Sequence, residues 1–483
     1  MDLTPLANAD LRSTPLRRDH CTLSDWSTAC AALEAGKLTL LALWGEAAAV
    51  RMALLDEGAG RIGVLTLPAE TAFPSVGRHH PPAQRLERAV ADLWGLAPAG
   101  APDARPWLGH TAPYPFLPVE GDSLHQVPVG PVHAGIIEPG HFRFTAQGET
   151  VVRLEERLGY VHKGIEALMT GAGLARGAEL AGRTSGDSCV AYQWAFAQAA
   201  EAALACPAPP RAQHIRAVLA ELERLANHLG DIGAICNDAA FAMMLAQCSI
   251  LRERLLRATD LAFGHRMGKD VIAPGGVTRD LTPDGVAALE AALAEVAGRL
   301  PRLVALYDGT ASLQDRTVGT GRLSPDLARQ FGAGGFVGRA SGRSFDTRRA
   351  LPYAPYDALA FAVATRDGGC VNARVWVRFD EVQESLGLLS QLLASLPGGP
   401  VRTDLLPARA TEGAEGIGLV EGFRGDVFVH LALGPDGRIA RCHLRDPSWF
   451  QWPLLEAAIE GNIIADFPLC NKSFNCSYSG HDL

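Results

Sequence analysis

The chain has 483 residues, of which 20% are charged and 48% apolar, and its formal net charge is -9. It is long enough for two or three domains with a sizeable core, and the acidic balance argues against nucleic acid as its main partner. Its 10 cysteines form no Cys-x-x-Cys pair, which excludes the usual ligand spacings of zinc ribbons and iron–sulfur clusters.

Residues 1–20 are polar and mixed in charge, with no apolar signal-peptide core. The longest apolar run, 239–251, is broken by Gln247 and stopped by Arg252, too short to cross a bilayer. The chain is expected to be soluble and cytoplasmic, with its cysteines as buried thiols. Residues 38–44, 49–55 and 61–67 read as strands, the last two flanking the turn Asp56-Glu-Gly-Ala-Gly60. After Pro82, the spacing of Leu86, Val90 and Leu93 predicts a helix. The Pro, Gly and Ala of 97–121 read as a linker.

Beyond it, 150–154 is strand-like and 193–205 is an Ala-rich helix. Ile215, Val218, Leu219, Leu222, Leu225 and Leu229 predict one helical face over 211–230, and 238–263 continues in kind. Thr282-Pro283 predicts a capped start for a helix reaching about 307, and further helices are expected over 380–396 and 453–460. Alternation over 427–433, the turn Gly434-Pro-Asp-Gly437 and residues 438–444 predict a hairpin. The fold class is α+β: a small α+β domain, then a central helix bundle with peripheral strands.

Several motifs carry a family resemblance. Phe73-Pro-Ser, Glu87-Arg88, Asp92-Leu-Trp-Gly95, Pro98, Gly100, Asp103 and Arg105 resemble the small peripheral-arm subunit of complex I. Gly130-Pro-Val-His133, Pro139-Gly-His-Phe-Arg143 and Tyr160-Val-His-Lys-Gly-Ile-Glu166 resemble the large subunit of energy-converting, membrane-bound NiFe hydrogenases and the quinone-site subunit of complex I. Val420-Glu-Gly-Phe-Arg424-Gly-Asp426 is similar to a family element beside the metal site. The resemblance implies a fusion: 1–110 as the small-subunit-like domain, 111–125 as linker, and 126–483 as the hydrogenase-type domain.

In that family two Cys-x-x-Cys pairs hold nickel and iron. Here Arg183-Thr-Ser185-Gly-Asp-Ser188-Cys189-Val-Ala-Tyr192 keeps the frame of the first pair, with Ser185 and Ser188 in the cysteine positions. A serine hydroxyl is a hard, weak donor and a poor nickel ligand. The resemblance therefore implies a site without its NiFe centre. Glu166, Arg183, Asp187 and Arg424 are candidates for a remaining polar centre. Glu166 is expected to have a raised pKa and to relay protons, or else to pair with Arg183 or Arg424. His133 and His141 are candidates for a quinone or proton pocket, although Gly186 falls near the position of complex I's quinone tyrosine. Cys189, Cys470 and Cys476, with Asp187 or His481, either bind an unrelated ion or are buried thiols in a site filled by Ser185, Ser188 and Asn471.

What the resemblance implies is the large subunit of a membrane-associated redox complex that couples electron transfer to proton or ion translocation. Its iron–sulfur clusters would sit in a small partner subunit, beside a ferredoxin-like subunit and membrane ion-translocating subunits. It would lie on the inner face of the cell membrane. The alternatives are an active hydrogenase or quinone oxidoreductase subunit with a remodelled site, and a scaffold without chemistry.

Overall fold

The computed structural model describes residues 15, 16, 18, 20–108, 114–132, 137–405 and 413–483. Helix α1 (Leu23–Glu34) starts at a reciprocal cap, in which Thr22 Oγ1 accepts from the Asp25 amide and the Asp25 carboxylate accepts from the Thr22 amide. The apolar runs then form an antiparallel meander, β1 (Thr39–Glu46), β2 (Ala49–Asp56) and β3 (Arg61–Pro68). In the β2–β3 turn Asp56 accepts from the Ala59 amide at 2.9 Å, and Gly60 takes a left-handed φ of +61° that lacks a Cβ penalty only in glycine.

Both faces of this meander are buried. Leu40, Leu43, Val50 and Met52 join Trp26 of α1 and Leu86 of α2 (Gln84–Trp94) in the main core. Leu41, Trp44, Ala53 and Ile62 join a second core with Ile417, Leu419 and Phe428. Strands covered on both faces have no polar alternation, which is why they read as unbroken apolar runs. A short parallel pair, β4 (Ala72–Pro74) with β5 (Ala97–Ala99), closes this part.

The Pro- and Gly-rich stretch expected to be a linker is fastened down where it is described. Arg105 pairs with Glu155, and Trp107 is buried, with its ring 5.0 Å from Trp449 and 4.3 Å from His481. Leu124, within the 111–125 linker implied by the resemblance, already begins a strand: β6 (Leu124–Val129) leads a second antiparallel sheet with β7 (His141–Gln147) and β8 (Thr150–Arg157).

The short α3 (Ile165–Met169) and α4 (Leu174–Ala181) lead to α5 (Cys189–Ala203), all of whose residues are buried. A helix apolar on every side belongs in a core. Its Ala195 and Ala199 carbonyls lie so close to Gly418 and Gly416 of β11 (Glu415–Gly422) that a Cβ at either glycine would collide with them. Small residues on both elements thus permit helix-on-strand contact at backbone distance.

Helix α6 (Pro210–Asp238) packs on α5, α7 (Ala242–Phe263) and α13 (Val371–Ala394) pack on α6, and α8 (Pro283–Gly309) packs on α7. The predicted apolar face of α6 is buried throughout. Each such side chain contributes roughly 1.5–3 kcal/mol, so packing rather than helix propensity holds it. The predicted cap of α8 is present, with Thr282 accepting from the Gly285 amide. A two-stranded hairpin, β9 (Ile272–Ala273) with β10 (Gly276–Val277), receives the buried Arg216, which also pairs with Glu201 at 2.6 Å. Four short helices, α9 (Ala311–Thr317), α10 (Pro325–Gln330), α11 (Gly335–Arg339) and α12 (Thr347–Ala350), lead to α13.

Helix α13 begins nine residues before the expected 380. Arg374 and Arg378 interrupt its apolar pattern, but both are buried, on Ser473 and on Asp231. The C-terminal sheet pairs β11 with β12 (Gly425–Leu433) and β12 with β13 (Ile439–Arg445). Helix α14 (Ser448–Ile459) starts before Pro453, which lies inside it rather than at its start. Helices α15 (Phe467–Phe474) and α16 (Tyr478–Asp482) end the chain, separated by Asn475 at a left-handed φ of +46°. The architecture is α+β. Among the described residues no helix is long and apolar enough to cross a membrane.

Candidate functional site

Three segments far apart in sequence meet at one place. The first is the turn 185–188 between α4 and α5, closed by the Ser188 amide on the Ser185 carbonyl at 3.2 Å. The second is the β11–β12 turn, whose Gly422↔Gly425 pairing projects Arg424. The third is 475–480, turned by the left-handed Asn475.

Arg424 grips Asp187 with two parallel hydrogen bonds, Nη1 to Oδ1 at 2.6 Å and Nη2 to Oδ2 at 2.5 Å. Its Nη1 also donates to Ser188 Oγ at 3.2 Å and its Nε to the Asn475 carbonyl. Burial would raise the Asp187 carboxyl, but the charge and hydrogen bonds of Arg424 hold it below the ordinary carboxylate range. Ser185 Oγ donates to Asp187 Oδ1 at 2.9 Å and lies 2.8 Å from Ser477 Oγ. Since Ser185 has one hydroxyl proton, Ser477 is the donor between them. Ser477 Oγ in turn accepts from the Gly480 amide at 2.9 Å. A Cβ at Gly480 would stand 2.5 Å from Asp446 Oδ2, which receives the Tyr192 hydroxyl at 2.8 Å.

The site has four key positions, paired at the same spacing: Ser185 with Ser188, and Ser477 with Gly480. Their donors are three hydroxyls and no side chain, with a guanidinium reaching among them. That set does not fit a nickel–iron centre held by four thiolates. Among the described residues no group of three or more His, Cys, Asp or Glu side chains is placed to hold a metal ion.

The thiols singled out from sequence do not assemble here. Cys189 donates to the Met267 carbonyl at 3.2 Å, Cys470 packs on Gly321 beside Arg374, and Cys476 lies within the field of Glu156. Burial pushes all three above the ordinary thiol value, Cys470 to about 11, so they are neutral thiols rather than thiolate ligands. Ser477 and Gly480 were missed because the tail was read on its cysteines. The signal was the spacing Ser477-x-x-Gly480, which repeats Ser185-x-x-Ser188.

The expected four-residue polar centre also divides. Arg183 points away, in a two-pronged pair with Asp270 at 2.6 and 2.7 Å, and is partly exposed. Glu166 pairs with neither Arg183 nor Arg424. It binds Arg441 at 2.7 Å, His443 Nδ1 at 2.8 Å and the Leu444 amide at 2.9 Å. Burial raises its carboxyl, but Arg441 and His443 outweigh burial and bring it down to about 2, against the expected upward shift. Glu166 also borders a cleft of about 380 Å³ shared with Leu93, Trp94, His162, Thr170 and Arg441.

His141 is buried, with Nδ1 3.2 Å from the Gly130 carbonyl and Arg143 Nε donating to its Nε2. Burial and the Arg143 charge lower its pKa, which leaves it neutral. His133 lies outside the described residues. Behind Arg424 a buried polar chain runs inward. Asn475 Nδ2 donates to Asp231, Arg378 grips the other Asp231 oxygen, and Glu381 on the same helix receives His228 and Arg339.

A family model described as the 49 Kd subunit of respiratory-chain NADH dehydrogenase matches residues 238–413. The chain is 32% identical over 441 residues to formate hydrogenlyase subunit 5 of Escherichia coli (strain K12), covering 85% of this chain and 77% of that protein. It is 31% identical over 354 residues to the carbon monoxide-induced hydrogenase of Rhodospirillum rubrum, covering 73% of this chain and 98% of that one. Among solved structures, a chain of the membrane-bound sulfane sulfur reductase, an archaeal respiratory membrane complex, superposes with a TM-score of 0.70 at 23% identity. The match spans 76% of this chain and 100% of the other, and shows a shared fold. The protein therefore belongs to the family that unites these hydrogenase subunits with the 49 Kd subunit of respiratory-chain NADH dehydrogenase.

Proposed function

We propose that this chain is the large subunit of a membrane-associated, hydrogenase-like redox complex, that it works without a NiFe centre, and that it couples electron transfer in its partners to proton or ion translocation. The observation that carries this reading is the Asp187–Arg424 pair, whose guanidinium reaches among Ser185, Ser188 and the segment of Ser477. A carboxylate and a guanidinium in hydrogen-bond contact with two hydroxyls form a polar centre that responds to charge arriving nearby. The partners are an iron–sulfur small subunit carrying the clusters, a ferredoxin-like subunit and membrane ion-translocating subunits. The chain lies peripherally on the inner face of the cell membrane through them. Residues 1–110 serve as a small-subunit-like domain fused to the hydrogenase-type part, 126–483.

Exchanging Asp187→Asn in the assembled complex tests the reading. Electron transfer should persist while ion transport driven by it falls at least tenfold. A second reading, a scaffold without chemistry, draws on the full pairing of Asp187 and Arg424. It predicts unchanged transport in the same variant.

A further inference from the structure

Glu156 of β8, Glu456 of α14 and Arg85 of α2 meet where the N-terminal part is packed on the C-terminal segment. Arg85 Nη1 lies 3.3 Å from Glu156 Oε2, and its Nη2 lies 2.8 Å from Glu456 Oε1. The Glu156 amide donates to Glu456 Oε1 at 2.7 Å. The Glu156 side chain is 0% exposed, and its Oε1 has no hydrogen-bond partner.

The charges around this trio are used elsewhere. Arg88 and Arg105 are taken up by Asp103 and Glu155. Arg157, the next residue on β8, lies against the Tyr114 ring at 4.2 Å. On the side of the tail stand Cys470, Cys476, Tyr478 and His481. Burial raises the three unionised groups Cys470, Cys476 and Tyr478, and lowers His481 to about 4, so none of the four brings a positive charge at neutral pH. One guanidinium therefore faces two carboxyl groups. Two ionised carboxylates that close repel, and a buried carboxylate oxygen without a donor adds a desolvation cost.

We propose that Glu156 and Glu456 hold one shared proton at neutral pH and act as a proton store for the serine-lined site. Burial and the neighbouring carboxylate push the Glu156 carboxyl well up, and burial pushes Glu456 up as well. The proton belongs to the pair rather than to either residue. Its loss takes the trio from neutral to a net charge of -1. Helix α14, which carries Glu456, also touches the site. Glu456 lies one helical turn after Trp452 on α14, and the Trp452 indole donates to the Ser477 carbonyl at 3.2 Å. Ser477 Oγ then meets Ser185 Oγ. The cation is supplied by the N-terminal part, which gives that part a role at the site beyond packing. The store's service to ion coupling rests on the function proposed above, but the shared proton itself does not.

The test is infrared difference spectroscopy of the purified full-length chain at pH 7, in water and in deuterium oxide. Glu156→Gln and Glu456→Gln should each remove the same isotope-sensitive carboxylic-acid band. The double variant should remove no more. Two bands lost additively, or no band lost in either variant, would overturn the proposal. Should Glu156→Gln not fold, Glu456→Gln carries the test alone, because its side chain is 24% exposed. A band unchanged in that variant would overturn the proposal. The spectra are read on the isolated chain, so a failure here is separate from a failure of ion coupling in the complex.

Discussion

Asp187 and Glu166 are both half-buried acids facing an arginine, yet they are held differently. Asp187 sits on a turn, and its Arg424 partner comes from another turn, among the hydroxyls of Ser185 and Ser188. Glu166 sits in the first turn of α3 and ties down β13 through Arg441, His443 and a backbone amide. Three fixed donors make Glu166 a clamp between elements. The Asp187 side chain keeps a third of its surface exposed. The same pairing of acid and arginine thus joins a helix to a strand in one place and two turns in the other.

Breaking the first pair should have the largest effect. Arg424→Met leaves Asp187 without its counter-charge and should cost about 3–5 kcal/mol, read as a lower urea midpoint. The clamp should cost slightly less and should show a pH signature. The folded Glu166 carboxyl is lowered from 4.5 to about 2. A lowered acid contributes stability above its unfolded value and loses it as pH falls through the folded one. The stabilisation of about 3 kcal/mol should therefore be complete above about pH 5 and disappear between pH 4.5 and 2. Glu166→Gln should remove that dependence, and a melting series across pH checks it.

Gly480→Ala sharpens the account of the serine site. The added methyl meets Asp446 and should disturb the Tyr192 hydrogen bond, at about 1–3 kcal/mol. The smallest effect belongs to Glu156→Gln, and its sign is opposite to that of Glu166. A raised acid binds its proton more tightly when folded, so wild-type stability falls as pH rises from 4.5 towards the folded value. The variant should lose this slope and melt no lower than wild type at pH 8.

Much of the fold was legible because it rests on local patterns. The hairpin at Asp56–Gly60, the apolar face of α6 and the Thr282 cap are all short-range signals. The start of α13 was not legible, because Arg374 and Arg378 are buried only by virtue of partners on α15 and α6. At the site, Ser185, Ser188, Asp187 and Arg424 were recognised from their motifs. Ser477 and Gly480 were not, since the neighbouring Cys476 offered the more familiar ligand chemistry. Glu166 is half-buried, and its pKa shifts down where an upward shift is expected from burial. Burial can be inferred from a motif, whereas Arg441 and His443, nearly 280 residues away, cannot.

The most direct test of the central claim is the nickel and iron content of the protein purified with its partners. The account predicts no stoichiometric nickel, with all iron assigned to clusters in the small subunit. One nickel per chain would contradict it, because the hydroxyls of Ser185, Ser188 and Ser477 would then have to be part of a working metal site.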